Sequence, residues 1–267
     1  MTSRWIAIFA ASGVLVLAIL DAIVVGRLTA RASFWYYAVA RTGLFALVAI
    51  SAGAAAGKFR WWNEYVGRAW TLFLIAYSLL TCSEIARRFF PERPTAKELL
   101  VAVANLALIG AYALMARSLH AAGLHYFGSI AKQVLIVVLA AALAIALCKG
   151  SLLSEIASIR AGTPHIGSLI SVLADMITFL LVAPLLLTAL SLRGGQMFWI
   201  FAFLTAGTFG WIVNQASASV LGNLGLQEAV RTGRMAGFAL ACCFISAAAL
   251  TQWLAAQRGT TGVRSHA

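Results

Sequence analysis

Apolar residues along this chain gather into eight long runs separated by short polar links. The runs predict membrane-spanning helices over residues 5–25, 34–56, 66–85, 99–116, 130–148, 169–190, 197–220 and 235–255. Crossing the hydrocarbon takes roughly 20 residues, more than a core helix of a soluble domain usually offers. The count falls to seven if one of the more polar helices inserts only in part. No ten-residue stretches alternate in polarity as barrel strands would. The expected fold is therefore all-α, a polytopic integral membrane helix bundle forming one domain over 1–257, followed by a short polar tail over 258–267.

The links are short, with two exceptions. Residues 87–98, RRFFPERPTAKE, carry two prolines and dense charge, and predict a surface loop. Residues 149–167 predict a short interfacial helix over 152–160 before a Gly-Thr-Pro break. Arg193-Gly194-Gly195 predicts a tight turn between the sixth and seventh spans. Ala30-Arg31-Ala32 imitates a signal-peptide cleavage site, but the preceding apolar run is span-length and Asp21 interrupts it, so the first helix is expected to stay as an anchor. No output domain is expected within this chain.

Six polar side chains stand inside the predicted spans: Asp21, Arg41, Glu84, Asp175, Asn214 and Gln215. A charge near the bilayer centre costs at least about 2.5–3.5 kcal/mol on insertion scales, so each asks for a partner. Spans 1, 3 and 7 end on the side where spans 2 and 6 begin, which brings all six residues into the same third of the membrane. Asp21 and Arg41 lie at similar depth and predict an ion pair. Asp175 is expected to bond Asn214 within the central hairpin. One shared ligand pocket, with Trp35, Tyr36 and Tyr37 near its mouth, competes with a purely structural account in which these contacts only fasten helices.

Composition sharpens the class. Hydrophobic residues make up 62% of the chain and charged residues 10%, with a mean hydropathy of +0.92, which is too little charge for a soluble surface. The net charge of +12 is scattered among the links as helix anchors, so nucleic acid is not expected as a partner. Basic residues divide almost evenly between the two sides. The longer loops and most link acids fall on the side away from the termini, and both termini are therefore expected in the cytoplasm. Trp5, Trp61, Trp62, Trp70, Trp199 and Trp253 all map to the terminus side and predict one aromatic belt. The small residues between Gly53 and Gly57 predict close helix packing, and Pro184 predicts a kink.

Chemistry is sparse. Cys82, Cys148, Cys242 and Cys243 lack ligand spacing, and His120 and His125, read as a link between spans, cannot share a helical face, so neither a metal nor a cofactor is expected. His165 is the one histidine close to the polar third. No metalloprotease, nucleophile-elbow or phosphate-loop motif occurs, which points away from an enzyme. A lipid-modifying enzyme would have only Asp21 and Asp175 for acid–base work.

The central hairpin, an acid at Asp175, then LLVAPLLLTALSLRGG, then an aromatic-rich helix closing on Asn214-Gln215, resembles the membrane-sensing modules of bacterial histidine kinases and diguanylate cyclases. Those modules place an acid where Asn214 or Gln215 stands here. The resemblance covers residues 171–215 and implies signal transduction: a sensory or scaffolding protein of the bacterial inner membrane that works through a protein partner or a homo-oligomer. Besides lipid, its ligand would be a small molecule held by the six polar residues. The alternative is a small-solute or ion transporter using the same pocket.

Overall fold

The computed structural model describes residues 3–27, 30–90, 94–121, 129–162, 166–191, 195–222 and 224–264. Eight helices account for nearly all of them: α1 Ser3–Arg27, α2 Ala30–Lys58, α3 Tyr65–Phe89, α4 Pro94–Ala121, α5 Ile130–Arg160, α6 Ile166–Ser191, α7 Gln196–Ala216 and α8 Gln227–Arg264. Each is long and apolar enough to cross a membrane, and no strand occurs among the described residues. The protein is thus an all-α, multi-pass membrane bundle.

Helix pairing closes a ring. α2 packs on α3, α3 on α4, α4 on α6, α6 on α7, α7 on α8, and α8 back on α2. Its interior holds Phe45, Phe73, Tyr77, Tyr112, Leu204 and Phe238, all buried. α1 lies outside the ring against α8, and α5 lies outside against α6 and α7. Both outer helices keep wide apolar faces, with Ile8, Phe9 and Val16 on α1 and Ile130, Val134 and Val138 on α5 exposed. Such faces suit the apolar interior of a bilayer.

Close approach of α7 and α8 depends on glycine. A Cβ on Gly210 would stand 2.5 Å from the Ala241 nitrogen and 2.7 Å from the Gly237 oxygen. One on Gly237 would stand 2.6 Å from the Asn214 nitrogen. Only small residues let two backbones meet this closely. In the small-residue run near the end of α2, Ala52, Ala55 and Ala56 are buried, but a Cβ on Gly53 would meet only the Leu74 side chain of α3 at 3.6 Å, an ordinary contact, so glycine is not required there.

Several expectations are corrected. The interfacial helix over 152–160 is the continuation of α5, because nothing between Cys148 and Arg160 breaks a helix. Gly150 is used there for contact, since a Cβ on it would lie 2.3 Å from that of Ser219. The loop over 87–98 shrinks: α3 runs to Phe89 and α4 opens on Pro94, where a missing N–H costs nothing. His120 belongs to the last turn of α4 rather than a link, while His125 and His165 lie outside the described residues. Arg193 and Gly194 of the expected turn also lie outside them, and Pro184 stands inside the helix, as expected, with α6 running from Ile166 to Ser191. Trp5, Trp61 and Trp62 are exposed as belt residues should be, but Trp70 is fully buried. It shares a face with Phe73 and Tyr77 three and seven positions on, and packs on Phe73 at 5.1 Å.

α7 changes pitch at its end. After Ala216 the chain continues as a π-helical segment, Ser217–Leu221. Ser219 Oγ donates to the carbonyls of Leu147, at 3.3 Å, and Ala216, at 3.2 Å, which ties this segment to α5. Single π turns widen a helix by one residue and recur at functional sites.

Candidate functional site

The polar residues sit where α1, α3 and α7 end and α2, α6 and α8 begin, on the side away from the termini. That common depth is what the alternating chain direction predicts. The partners are not the predicted ones. Arg41 Nη2 pairs with Glu84 Oε1 at 3.1 Å, not with Asp21. Glu84 Oε2 also meets Arg87 at 2.8 Å and Arg88 at 3.5 Å, so one buried carboxylate gathers three guanidinium groups. Glu84, Arg87 and Arg88 occupy i, i+3 and i+4 of the last turns of α3, a spacing that puts them side by side.

Asp21 instead accepts a hydrogen bond of 2.5 Å from the Tyr37 hydroxyl, and its other oxygen is buried without a partner. Tyr36 donates to the Leu17 carbonyl at 3.5 Å. These two tyrosines fasten the end of α1 to the start of α2. Trp35 is exposed.

The expected bond between Asp175 and Asn214 is also corrected. Gln215 Nε2 donates to Asp175 Oδ2 at 3.0 Å, joining α6 to α7. Asn214, one residue earlier and about 100° around the helix, turns to α8 and donates to the Arg234 carbonyl at 2.8 Å. Asp175 is buried and Gln215 half-buried. Among the described residues Asp175 makes no ion pair, and none of the three arginines on Glu84 reaches it.

A cavity of about 530 Å³ opens beside that cluster. Tyr37 and Arg41 of α2, Asn214 of α7, and Gln227, Glu228, Val230, Arg231, Arg234, Met235 and Phe238 of α8 line it. Of the six sequence-derived candidates, Arg41 and Asn214 face the cavity directly. Glu84 and Asp21 hold lining residues in place, and Asp175 with Gln215 forms a separate pair between α6 and α7. Arg231 lies over the Tyr37 ring at 4.3 Å and Arg41 over Phe238 at 5.2 Å. Such stacking holds each guanidinium in position, and Arg41 keeps Nη2 on Glu84 at the same time.

Arg231 and Arg234 are the residues that the sequence pattern missed. In the sequence they read as a link because they precede the apolar run that begins near 235, whereas α8 starts two turns earlier at Gln227. The signal was present: an acid in the first turn, no proline, and basic residues three apart leading to Phe238. The floor of the cavity continues inward. Phe238 packs edge-on against Trp211 at 5.5 Å and Phe45 at 4.8 Å, and Trp211 Nε1 donates to the Tyr77 hydroxyl at 3.4 Å.

Among the described residues no group of His, Cys, Asp and Glu side chains could hold a metal ion. Comparison with protein-family models, curated proteins and solved structures finds no match.

Proposed function

We propose that this multi-pass protein is a non-enzymatic sensory module of a bacterial inner membrane, which binds a small ligand in the cavity between α2, α7 and α8 and acts through a protein partner. The observation that carries the reading is the cavity itself, a polar opening among apolar helices, lined by side chains from three of them. A ligand touching Arg41, Asn214 and Arg234 together would change the fit of α2 and α8 against α7. The Phe238–Trp211–Tyr77 contacts provide a packed route from there into the ring. A resident of this cavity therefore biases helix packing, which is what a partner in the membrane can read. The resemblance of residues 171–215 to sensor-kinase membrane modules agrees with this role. Both termini in the cytoplasm would put the cavity mouth on the external face.

Affinity purification of the tagged protein in mild detergent from its native host tests the proposal. A kinase, cyclase or other signalling protein recovered in stoichiometric amount supports it. Protein that purifies alone, and carries solute across liposomes in a manner lost on Asp175→Asn, replaces it with transport through the Asp175–Gln215 site.

A further inference from the structure

The charges around the cavity do not balance. Five guanidinium groups, those of Arg41, Arg87, Arg88, Arg231 and Arg234, surround or adjoin it. Three carboxylates are near: Glu84, already shared by three arginines, Glu228 on the lining, and Asp21 beneath Tyr37. Arg231 and Arg234 make no ion pair with a described acid. Arg41 Nε is buried and lacks an acceptor in the protein. Two positive charges, on the exposed Arg231 and Arg234 at the start of α8, are thus left over at the cavity mouth, and deeper in a buried donor of Arg41 stands idle.

From this excess we infer that the ligand is a phosphate-bearing anion, held by Arg41, Arg231 and Arg234; the inference rests on the ligand-pocket reading above. A phosphate monoester carries up to two negative charges and three acceptor oxygens, enough for three guanidinium forks, whereas a single carboxylate satisfies one. Tyr37 and Asn214 add neutral polar groups for the rest of the molecule. The same phosphate chemistry comes from a free solute or from an anionic lipid headgroup at this depth, and the cavity would accept either.

The test uses the full chain in phosphatidylcholine nanodiscs. Thermal unfolding and equilibrium binding are followed with inorganic phosphate, with glycerol 3-phosphate, and after replacing part of the lipid with phosphatidic acid. The wild type should be stabilised by at least one phosphate probe. Response to the soluble probes assigns a free solute, and response to phosphatidic acid alone assigns a lipid headgroup. The double variant Arg231→Gln/Arg234→Gln should lose about ten-fold or more in affinity, as expected for lost charge-assisted contacts. Lys58→Gln/Lys132→Gln, which removes two exposed charges at the opposite end of the bundle, should bind as the wild type does. If the double glutamine variant does not fold, Arg234→Lys serves, keeping the charge and losing the fork, with a smaller but measurable loss. A wild type indifferent to every phosphate probe overturns the inference, as does binding that the cavity variants leave unchanged. Stabilisation by choline or a neutral sugar without any by phosphate also overturns it, yet leaves the ligand pocket standing. Failure to recover a partner, with phosphate still bound, removes the sensory reading and keeps the anion site.

Discussion

Arg41 of α2 and Glu84 of α3 meet at 3.1 Å, and the same carboxylate holds Arg87 and Arg88, so a single acid anchors three cations beside the cavity. Glu84 is therefore more exposed to loss than any one of its partners. Glu84→Gln strands guanidinium groups close together, and removal of one member of a buried pair typically costs about 3–5 kcal/mol. Arg87→Gln should cost at most about 1 kcal/mol, because the Arg87 side chain is half-exposed. Thermal unfolding of both variants in detergent checks the order. Equal midpoints would show that Glu84 is not the anchor.

Asp21 depends on one donor. Tyr37→Phe removes it and leaves a buried carboxylate with neither oxygen bonded, a loss of about 1–3 kcal/mol. Adding Asp21→Asn to Tyr37→Phe should recover part of that stability, since the amide carries no charge to desolvate. A double variant less stable than Tyr37→Phe alone would contradict this pairing.

Packing of α7 on α8 leaves no room for a methyl group. Gly210→Ala would drive a Cβ into the backbone of α8 and should cost about 1–3 kcal/mol through overpacking. Gly43→Ala meets nothing within 4 Å and should be neutral or stabilising by up to about 1 kcal/mol from helix propensity. Denaturant or thermal unfolding of the two variants separates them by sign.

The Asp175–Gln215 pair gives a different signature. Asp175→Asn keeps an acceptor for Gln215, while Asp175→Leu leaves the half-buried amide without one, at a cost of about 1 kcal/mol. The leucine variant should unfold first, and phosphate binding at the α2–α8 cavity should be unaffected by either change. Loss of phosphate binding in Asp175→Asn would join the two sites into one.

Orientation is open to direct labelling. Asn63, between α2 and α3, and Ala161, at the end of α5, are exposed and lie at opposite ends of the bundle. In a background with the four native cysteines replaced, Ala161→Cys should react with a membrane-impermeant maleimide in intact cells. Asn63→Cys should react only after lysis. The reverse pattern would place both termini and the α2–α3 turn outside.

What the sequence alone determined about this protein is its set of helices and the depth of its polar residues. Hydrocarbon imposes that local condition: every backbone group must be bonded within a run of about 20 apolar residues, so hydropathy finds the spans wherever they lie. Alternating chain direction then places Asp21, Arg41, Glu84, Asp175, Asn214 and Gln215 at one level. Partnership is another matter, because it depends on the rotation of each helix and on which helices are neighbours. Arg41 found Glu84 rather than Asp21, and Gln215 rather than Asn214 met Asp175, since α2 packs on α3 and adjacent residues point about 100° apart. Arg231 and Arg234 entered the site only because α8, held by Gly210 and Gly237 against α7, extends past the apolar run that marks its span. Side-chain packing across helices decides such pairings, and no single run of the chain carries that information.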